Sequence, residues 1–457
     1  MTATDAFIAT TRFGLGARKG DFAAVAKDPR GWLDSQLDES YVRSAALAQF
    51  PPVMDAVHHM REQMEMKRAE KQAASANPGQ AAQKIQGAMK ELRQDYIQQI
   101  AARARGIADS QAPFFERLVQ FWSNHFTVST TKQQDLPLVA TFERDAIRPH
   151  VLGNFHDMLR ASTRHPAMQI YLDNFRSIGP DSLAGRRRDK GLNENLAREI
   201  MELHTLGVNG GYTQRDVTEF AKILTGWTVD NDSRGDGSGF FFAPALHEPG
   251  TKTLLGQAYD DNGVEEGEQA LQVFARHPST AKFIATKLAR HFVADDPPQS
   301  AIDKLEAAFR HYGGDLLPLY RTLIVMNETW ASPLAKVKTP NDLILSILRA
   351  TGVADDTDDM TIVGAYRMLN QMPFSASSPA GWSDRGADWI GAEALLQRID
   401  LARYAAKGVH TRFDPAQLLD DTIGPVASGE TKFAVAHAGS AAEGIALLFA
   451  SPEFQRR

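Results

Sequence analysis

Three features of this sequence predict a mainly α-helical protein: a multi-helix, bundle-like body with a short β-hairpin and a long N-terminal helical arm. Apolar residues Phe115, Leu118, Val119, Trp122 and Phe126 fall at i, i+3, i+4, i+7 and i+11, the spacing of one buried helix face. Residues 53–107 are rich in Ala, Gln, Glu, Lys and Met and break once, at Asn77-Pro78-Gly79, which reads as two long helices joined by a hinge. The stretch from Asn193 to Trp227 opens on a capping Asn, turns at Gly207 and resumes at Thr213 with Asp216 three residues on, which reads as a helical hairpin.

Composition bounds the chemistry. With 457 residues, 43% hydrophobic and 23% charged, the chain is an ordinary globular protein large enough for several cores, and its formal charge of −6 disfavours general binding to nucleic acid or an anionic membrane. It holds no cysteine, so thiolate catalysis, disulfides and Cys-bound metals are excluded. No segment reaches the roughly 18 apolar residues of a membrane span, and the first twenty residues lack a basic and then apolar leader, so a cytoplasmic protein is expected. Four segments are expected: 1–52 helical, 53–110 the hairpin arm, 111–335 a central helical domain containing 193–227, and 336–457 a C-terminal helical domain.

Taken in order, Gly14-Leu15-Gly16 with Gly20 imitates a nucleotide loop, but its last glycine is one residue late and no buried strand precedes it. A helix-entry turn is predicted there instead. The arm from Lys67 to Gln83 has almost no large apolar residue and is expected to be solvated, though it could also dock a partner protein. In the helix ending at Phe126, His125 lies in line with Leu118 and Phe121, beside the core. A helix from Thr141 to Arg148 stops at Pro149, and Ser177 to Leu192 is a loop carrying Arg186-Arg187-Arg188.

The hairpin carries the strongest chemical signal. In its first helix, of about four turns, Leu196, Ile200 and Leu203 form the buried stripe, and Asn195, Glu199 and Glu202 form a second stripe beside it. Two carboxylates one turn apart need a cation, an arginine or a shared proton. A shared proton suits acid/base work as in glycoside hydrolysis; a divalent metal would need His125 as third ligand; an arginine such as Arg144, Arg148 or Arg160 would make a structural ion-pair network. His204 projects from the opposite flank of the apolar stripe. The turn from Gly207 to Tyr212 is too long for a DNA-binding helix-turn-helix.

Beyond it, Asp230 to Gly239 fails as a calcium loop because Arg234 takes a ligand position. Phe240-Phe241-Phe242 and Lys252-Thr253-Leu254 are expected to form the short β-hairpin, and residues 264–372 read as packing helices with little to suggest chemistry. The non-helical stretch 373–390 brings Trp382, Asp384 and Trp389 together, as a sugar-binding platform would, or as tryptophans pinning a loop would.

The run Asn193-Glu194-Asn195-Leu196-Ala197-Arg198-Glu199-Ile200-Met201-Glu202-Leu203-His204 resembles the signature of the bacterial domain-of-unknown-function family number eighteen hundred. So do Phe121 to Phe126, His165 to Asn174, the tryptophan loop and Ser451 to Gln455. The resemblance adds His247 and Lys252 as site candidates, because the family shows a similar His-acidic pair followed by Lys and Leu-Gly, and it leaves a periplasmic location open. The expected function is a hydrolase acting on a polyhydroxylated, glycan-like polymer, with Glu199, Glu202 and His125 catalytic and Asn195, Trp382, Asp384, His247 and Lys252 binding substrate. The alternative is a non-catalytic assembly partner that uses residues 53–107. An enzyme should gather Glu199, Glu202 and His125 on an open pocket, whereas a partner should seal them with arginine and expose an apolar stripe on the arm.

Overall fold

Proline and short polar side chains set where the helices begin. Pro113, Pro166, Pro278, Pro340 and Pro415 each occupy the first turn of a helix, where their missing N–H costs nothing, and Asn154, Thr213, Asp315 and Thr339 cap others or the same ones through their side-chain oxygens. The computed structural model describes residues 2–73, 78–131, 136–187 and 191–457, without the side chains of 67, 70–73, 78–82, 84 and 85. Helices hold 61% of the chain, and the strands form two small antiparallel sheets, so the protein is mainly α. None of the described helices is long and apolar enough to cross a membrane.

The arm consists of helices Val53–Ala73 and Pro78–Asp109. Val57, Met60, Leu92, Tyr96 and Ile100 bury its base, and the Tyr96 hydroxyl donates to the Pro373 carbonyl at the start of the tryptophan loop. The hinge residues 74–77 lie outside the described structure. From this base the buried apolar residues run as one cluster from Ala6 to Phe454.

The signature helix is shorter than its apolar repeat suggests. Asn195–Glu199 is α-helical, and the chain then widens into a π-turn over Ile200–His204. Asn193 still accepts the Asn195 N–H at 2.8 Å, Gly207 leaves the helix with φ +80°, and the Thr205 hydroxyl donates to the Ile200 carbonyl at 2.6 Å. A π-turn advances each residue by less than the 100° of an α-helix, and His204 at its end lies in the core, 1% exposed. Likewise the helix expected from Thr141 to Arg148 is mostly a π segment, Phe142–Ile147.

The β structure also differs in pairing. β1 (Trp227–Val229) pairs with β2 (Phe240–Phe242), and β3 (Lys252–Leu254) pairs with β4 (Gln257–Tyr259), so β2 and β3 are not partners. The local reason is the tight turn at Leu255 and Gly256, both with positive φ, which returns β3 on its own sequence neighbour.

Ions are buried inside the helical body. Glu143, 0% exposed, accepts from Arg103 at 2.7 Å and from Ser123 at 3.1 Å and lies 3.6 Å from Arg148, which also binds Glu116. Burial opposes its ionisation, yet the two arginines hold its carboxyl below the usual value. Its stabilising effect is therefore complete above the unfolded value of about 4.5 and is lost as pH falls through the lower folded value. Glu143→Gln should lower stability by about 3–5 kcal/mol near neutral pH, because it leaves two buried arginines short of charge. Urea unfolding at neutral pH and at pH below 4.5 should show that deficit shrinking only in the more acidic range.

Candidate anion-binding cavity

The helix Pro278–Phe292 buries Ala281, Ile284, Ala285, Leu288 and Phe292 on one face. Lys287, Arg290 and His291, at i, i+3 and i+4, leave from its flank and line a cavity of about 430 Å³. Opposite them stand Arg117, Gln120, Phe121, Asn124 and His125 of helix Pro113–His125, then Asn341 and Asp342 at the start of helix Pro340–Thr351. The tryptophan loop, from Pro373 to Arg385, closes the remaining side.

One residue seats that loop. Asn124 accepts the Trp382 N–H at 2.7 Å and donates to the Trp382 carbonyl at 2.9 Å, gripping the backbone like a strand neighbour. The grip requires glycine next door: Gly381 has φ +81°, and a Cβ there would lie 2.4 Å from the Asn124 carbonyl. Trp389 donates to the Ser383 carbonyl at 2.9 Å and pins the loop, while Trp382 lines the cavity.

The floor is ionic. Asp342 binds Arg117 at 3.1 Å and Arg457 at 3.0 Å, and against its burial these arginines hold its carboxyl down to about 2. Asp384 accepts from Nδ1 of His291 at 2.7 Å and lies 3.7 Å from Arg457. Burial opposes its ionisation too, but His291, Lys336 and Arg457 together keep it well below the carboxylate range. Burial brings His291 down to about 4 despite Asp384, so the ring is neutral at neutral pH. Its Nδ1–H donates to Asp384, and Nε2 keeps a lone pair with no hydrogen-bond partner. His125 is also neutral, for burial and then Lys287 lower its pKa well below normal; its Nε2–H donates to the His204 carbonyl at 3.0 Å and leaves Nδ1 unpartnered.

Most cations here are committed. Arg103 is held by Glu143, Arg117 by Asp342 and Arg385 by Asp296. Lys287 differs: among the described residues it has neither hydrogen bond nor ion pair, only the Phe283 ring with its centre 5.6 Å away. Burial, opposed by Asp384, lowers its pKa to about 8. A cation left unpaired in such a place attracts an anion from outside the chain.

Of the residues singled out from sequence, the fold brings His125, Trp382 and Asp384 together on this cavity. Glu199 and Glu202 lie elsewhere, half-buried and outside the lining, with burial and then Glu202 raising the Glu199 carboxyl. Among the described residues no arginine pairs with them: Arg144 binds Asp145, Arg148 binds Glu116, and Arg160 binds Glu268. They do not meet His125 as metal ligands; among the described residues the group with that geometry is His247, Asp261 and Glu266. Asn195 is exposed, and His247 and Lys252 are buried together around Glu266. Of the basic loop, Arg186 and Arg187 are exposed and Arg188 lies outside the described residues. Sequence reasoning missed Lys287, Arg290, His291, Asp342 and Arg117. The signal available was three basic residues within one turn on an otherwise apolar helix.

A family model described as "Protein of unknown function (DUF1800)" matches residues 8–456, nearly the whole chain. No curated protein and no solved structure matches it.

An unpaired, half-buried ammonium costs stability, and the sign of that cost is measurable. Below the folded pKa of about 8 the penalty is complete; it is relieved as pH rises toward the unfolded value of 10.5, where the unfolded chain binds the extra proton. Lys287→Met should therefore stabilise the protein by roughly 1–3 kcal/mol at neutral pH. Thermal unfolding across this range should show that gain fading in alkali, and a destabilised variant would mean that Lys287 has a structural partner.

Proposed function

We propose, for a chain that belongs to the DUF1800 family and takes no assigned reaction from it, that the cavity is the active site of a hydrolase-type enzyme acting on an acidic, polyhydroxylated substrate. The observation that carries this reading is the Lys287 ammonium, which among the described residues has neither hydrogen bond nor ion pair, in a cavity whose Arg103, Arg117 and Arg385 are held by carboxylates. With Arg290 one turn away, it would receive a carboxylate, sulfate or phosphate of the substrate. The Trp382 ring supplies an apolar face for a sugar, and about 430 Å³ is room for one or two rings.

The same groups divide the proton chemistry. Asp342 and Asp384 are held ionised by their cations, so neither supplies the protonated carboxylic acid of the usual glycosidase pair. Lys287, mostly protonated at neutral pH, supports the role of acid, and neutral His291, oriented by Asp384, supports that of base. Glu199 and Glu202, outside the cavity, have no part in this scheme.

The assembly alternative finds less support. None of the described side chains between residues 53 and 107 is an exposed large apolar one, so the described part of the arm shows no stripe for a partner helix.

A ligand panel tests the proposal. Uronic-acid and phosphorylated saccharides should bind the wild-type protein and neutral saccharides should not. Lys287→Met should weaken acidic-ligand binding by about 10-fold or more, and wild-type affinity should fall as pH rises through about 8. Equal binding of neutral ligands, or unchanged binding by the variant, overturns the reading. With a turned-over substrate in hand, His291→Gln should lower kcat by about 10²–10⁴-fold and leave KM nearly unchanged.

A further inference from the structure

Away from the cavity, the loop after β2 and the first turn of helix Val264–Arg276 converge on a second charged centre. Nε2 of His247, a carboxylate oxygen of Asp261 and Oε1 of Glu266 all lie within 4.8 Å of one another. We propose that these three side chains bind a single first-row divalent cation, Zn²⁺ in the first instance, at the position that the Lys252 ammonium now shares.

Four observations support a cation rather than a closed salt bridge. His247 donates its Nδ1–H to the Thr225 carbonyl at 2.7 Å, which fixes the tautomer and turns the Nε2 lone pair inward, as carbonyl partners do for metal-bound histidines. Nε2 lies 2.5 Å from Oε1 of Glu266, so the two candidate ligand atoms already converge on one point. Glu266 is 0% exposed, and its second oxygen, Oε2, is buried with no hydrogen-bond partner, leaving a carboxylate half satisfied. Asp261, 3.8 Å from Nε2, is 44% exposed and anchored by the Gly250 N–H, so the centre has an entrance from solvent.

Lys252 holds the place. Its Nζ lies 2.9 Å from Oε1 of Glu266 and 3.3 Å from Nε2 of His247, and it also donates to the Glu248 carbonyl. One ammonium leaves two carboxylates undercompensated, whereas a divalent ion with a neutral imidazole balances them. The donor set of one nitrogen and two oxygens suits Zn²⁺ or Mn²⁺ better than Ca²⁺ or Mg²⁺, which favour all-oxygen cages. Ligand distances of about 2.0–2.2 Å ask the three groups to move by less than about 1 Å. The ion would tie the helix Val264–Arg276 to the loop that follows β2, with one coordination position toward solvent.

The test uses the untagged, chelator-treated full chain titrated with ZnCl₂ in calorimetry. The wild type should bind one equivalent and gain thermal stability, with MgCl₂ and CaCl₂ giving no such binding. Lys252→Met, which removes the competing ammonium, should bind at least as tightly. Glu266→Gln should lose about 100-fold or more in affinity. Should that buried variant fail to fold, Asp261→Asn at the exposed position reads the same loss of a ligand, by about 10-fold or more. Absence of a bound equivalent in the wild type, preference for Mg²⁺ or Ca²⁺, or binding that survives either substitution in a folded variant overturns the site. None of these residues lines the Lys287 cavity, so either proposal can fail without the other.

Discussion

Asp342 cannot be buried alone, and satisfying it holds much of the molecule in place. Its two oxygens take Arg117 and Arg457, at 3.1 and 3.0 Å. Those guanidiniums have donors to spare and spend them on backbone: Arg117 on the carbonyls of Gly14 and Thr11, Arg457 on those of His291 and Arg12. The opening segment, the helix Pro113–His125, the helix Pro278–Phe292 and the start of helix Pro340–Thr351 thus meet at one carboxylate. Breaking a buried ionic cluster of this kind by removing one member costs about 3–5 kcal/mol, because the survivors stay charged and dry. An apolar core could give comparable stability. What the ions add is a fixed wall of known charge beside a space that admits a ligand.

The same economy explains the distorted helices. Arg12, Glu143 and His204 each sit in a π segment, and each is a buried polar group that an unbroken α-helix would aim elsewhere. Widening one turn costs backbone hydrogen-bond quality but redirects the side chain by a fraction of a turn. At Ile8–Phe13 it lets Arg12 reach the Thr329 carbonyl at 2.8 Å; at Phe142–Ile147 it sets Glu143 against Arg103.

How much of this was legible in the sequence divides along the range of the interactions. Caps and prolines act within four residues, so the starts at Pro113, Thr213 and Pro278 and the mainly α class could be read directly. Trp382 and Asp384 stood out because aromatic and acidic residues in a glycine-bearing, non-helical stretch have few local reasons to be there. The π-turn at Ile200–His204 was not readable, since it preserves the apolar repeat and changes only the angle, and with it the side on which His204 emerges. The β3–β4 turn escaped notice because Leu255, a non-glycine residue, takes φ +50°. Lys287, Arg290 and His291 belong to a segment that reads only as packing helices. Only the loop from 373 to 390, nearly a hundred residues further on, turns that segment into the wall of a cavity.

Two lysines, Lys252 buried and Lys287 half-buried, make the functional argument by contrast. Lys252 has three partners, Glu266, His247 and the Glu248 carbonyl, so its own charge is satisfied within the chain. Lys287 has an aromatic ring and, among the described residues, no acceptor, although Asp384 lies near enough to raise its pKa against the effect of burial. Asp384 is itself committed to His291, which prevents it from closing on the lysine as a simple pair. A fold selected only for stability would join that carboxylate to that ammonium or replace the lysine with methionine. Keeping them apart sustains a positive potential in a space large enough for a small molecule, and the stability forgone is the energy that an incoming anion recovers.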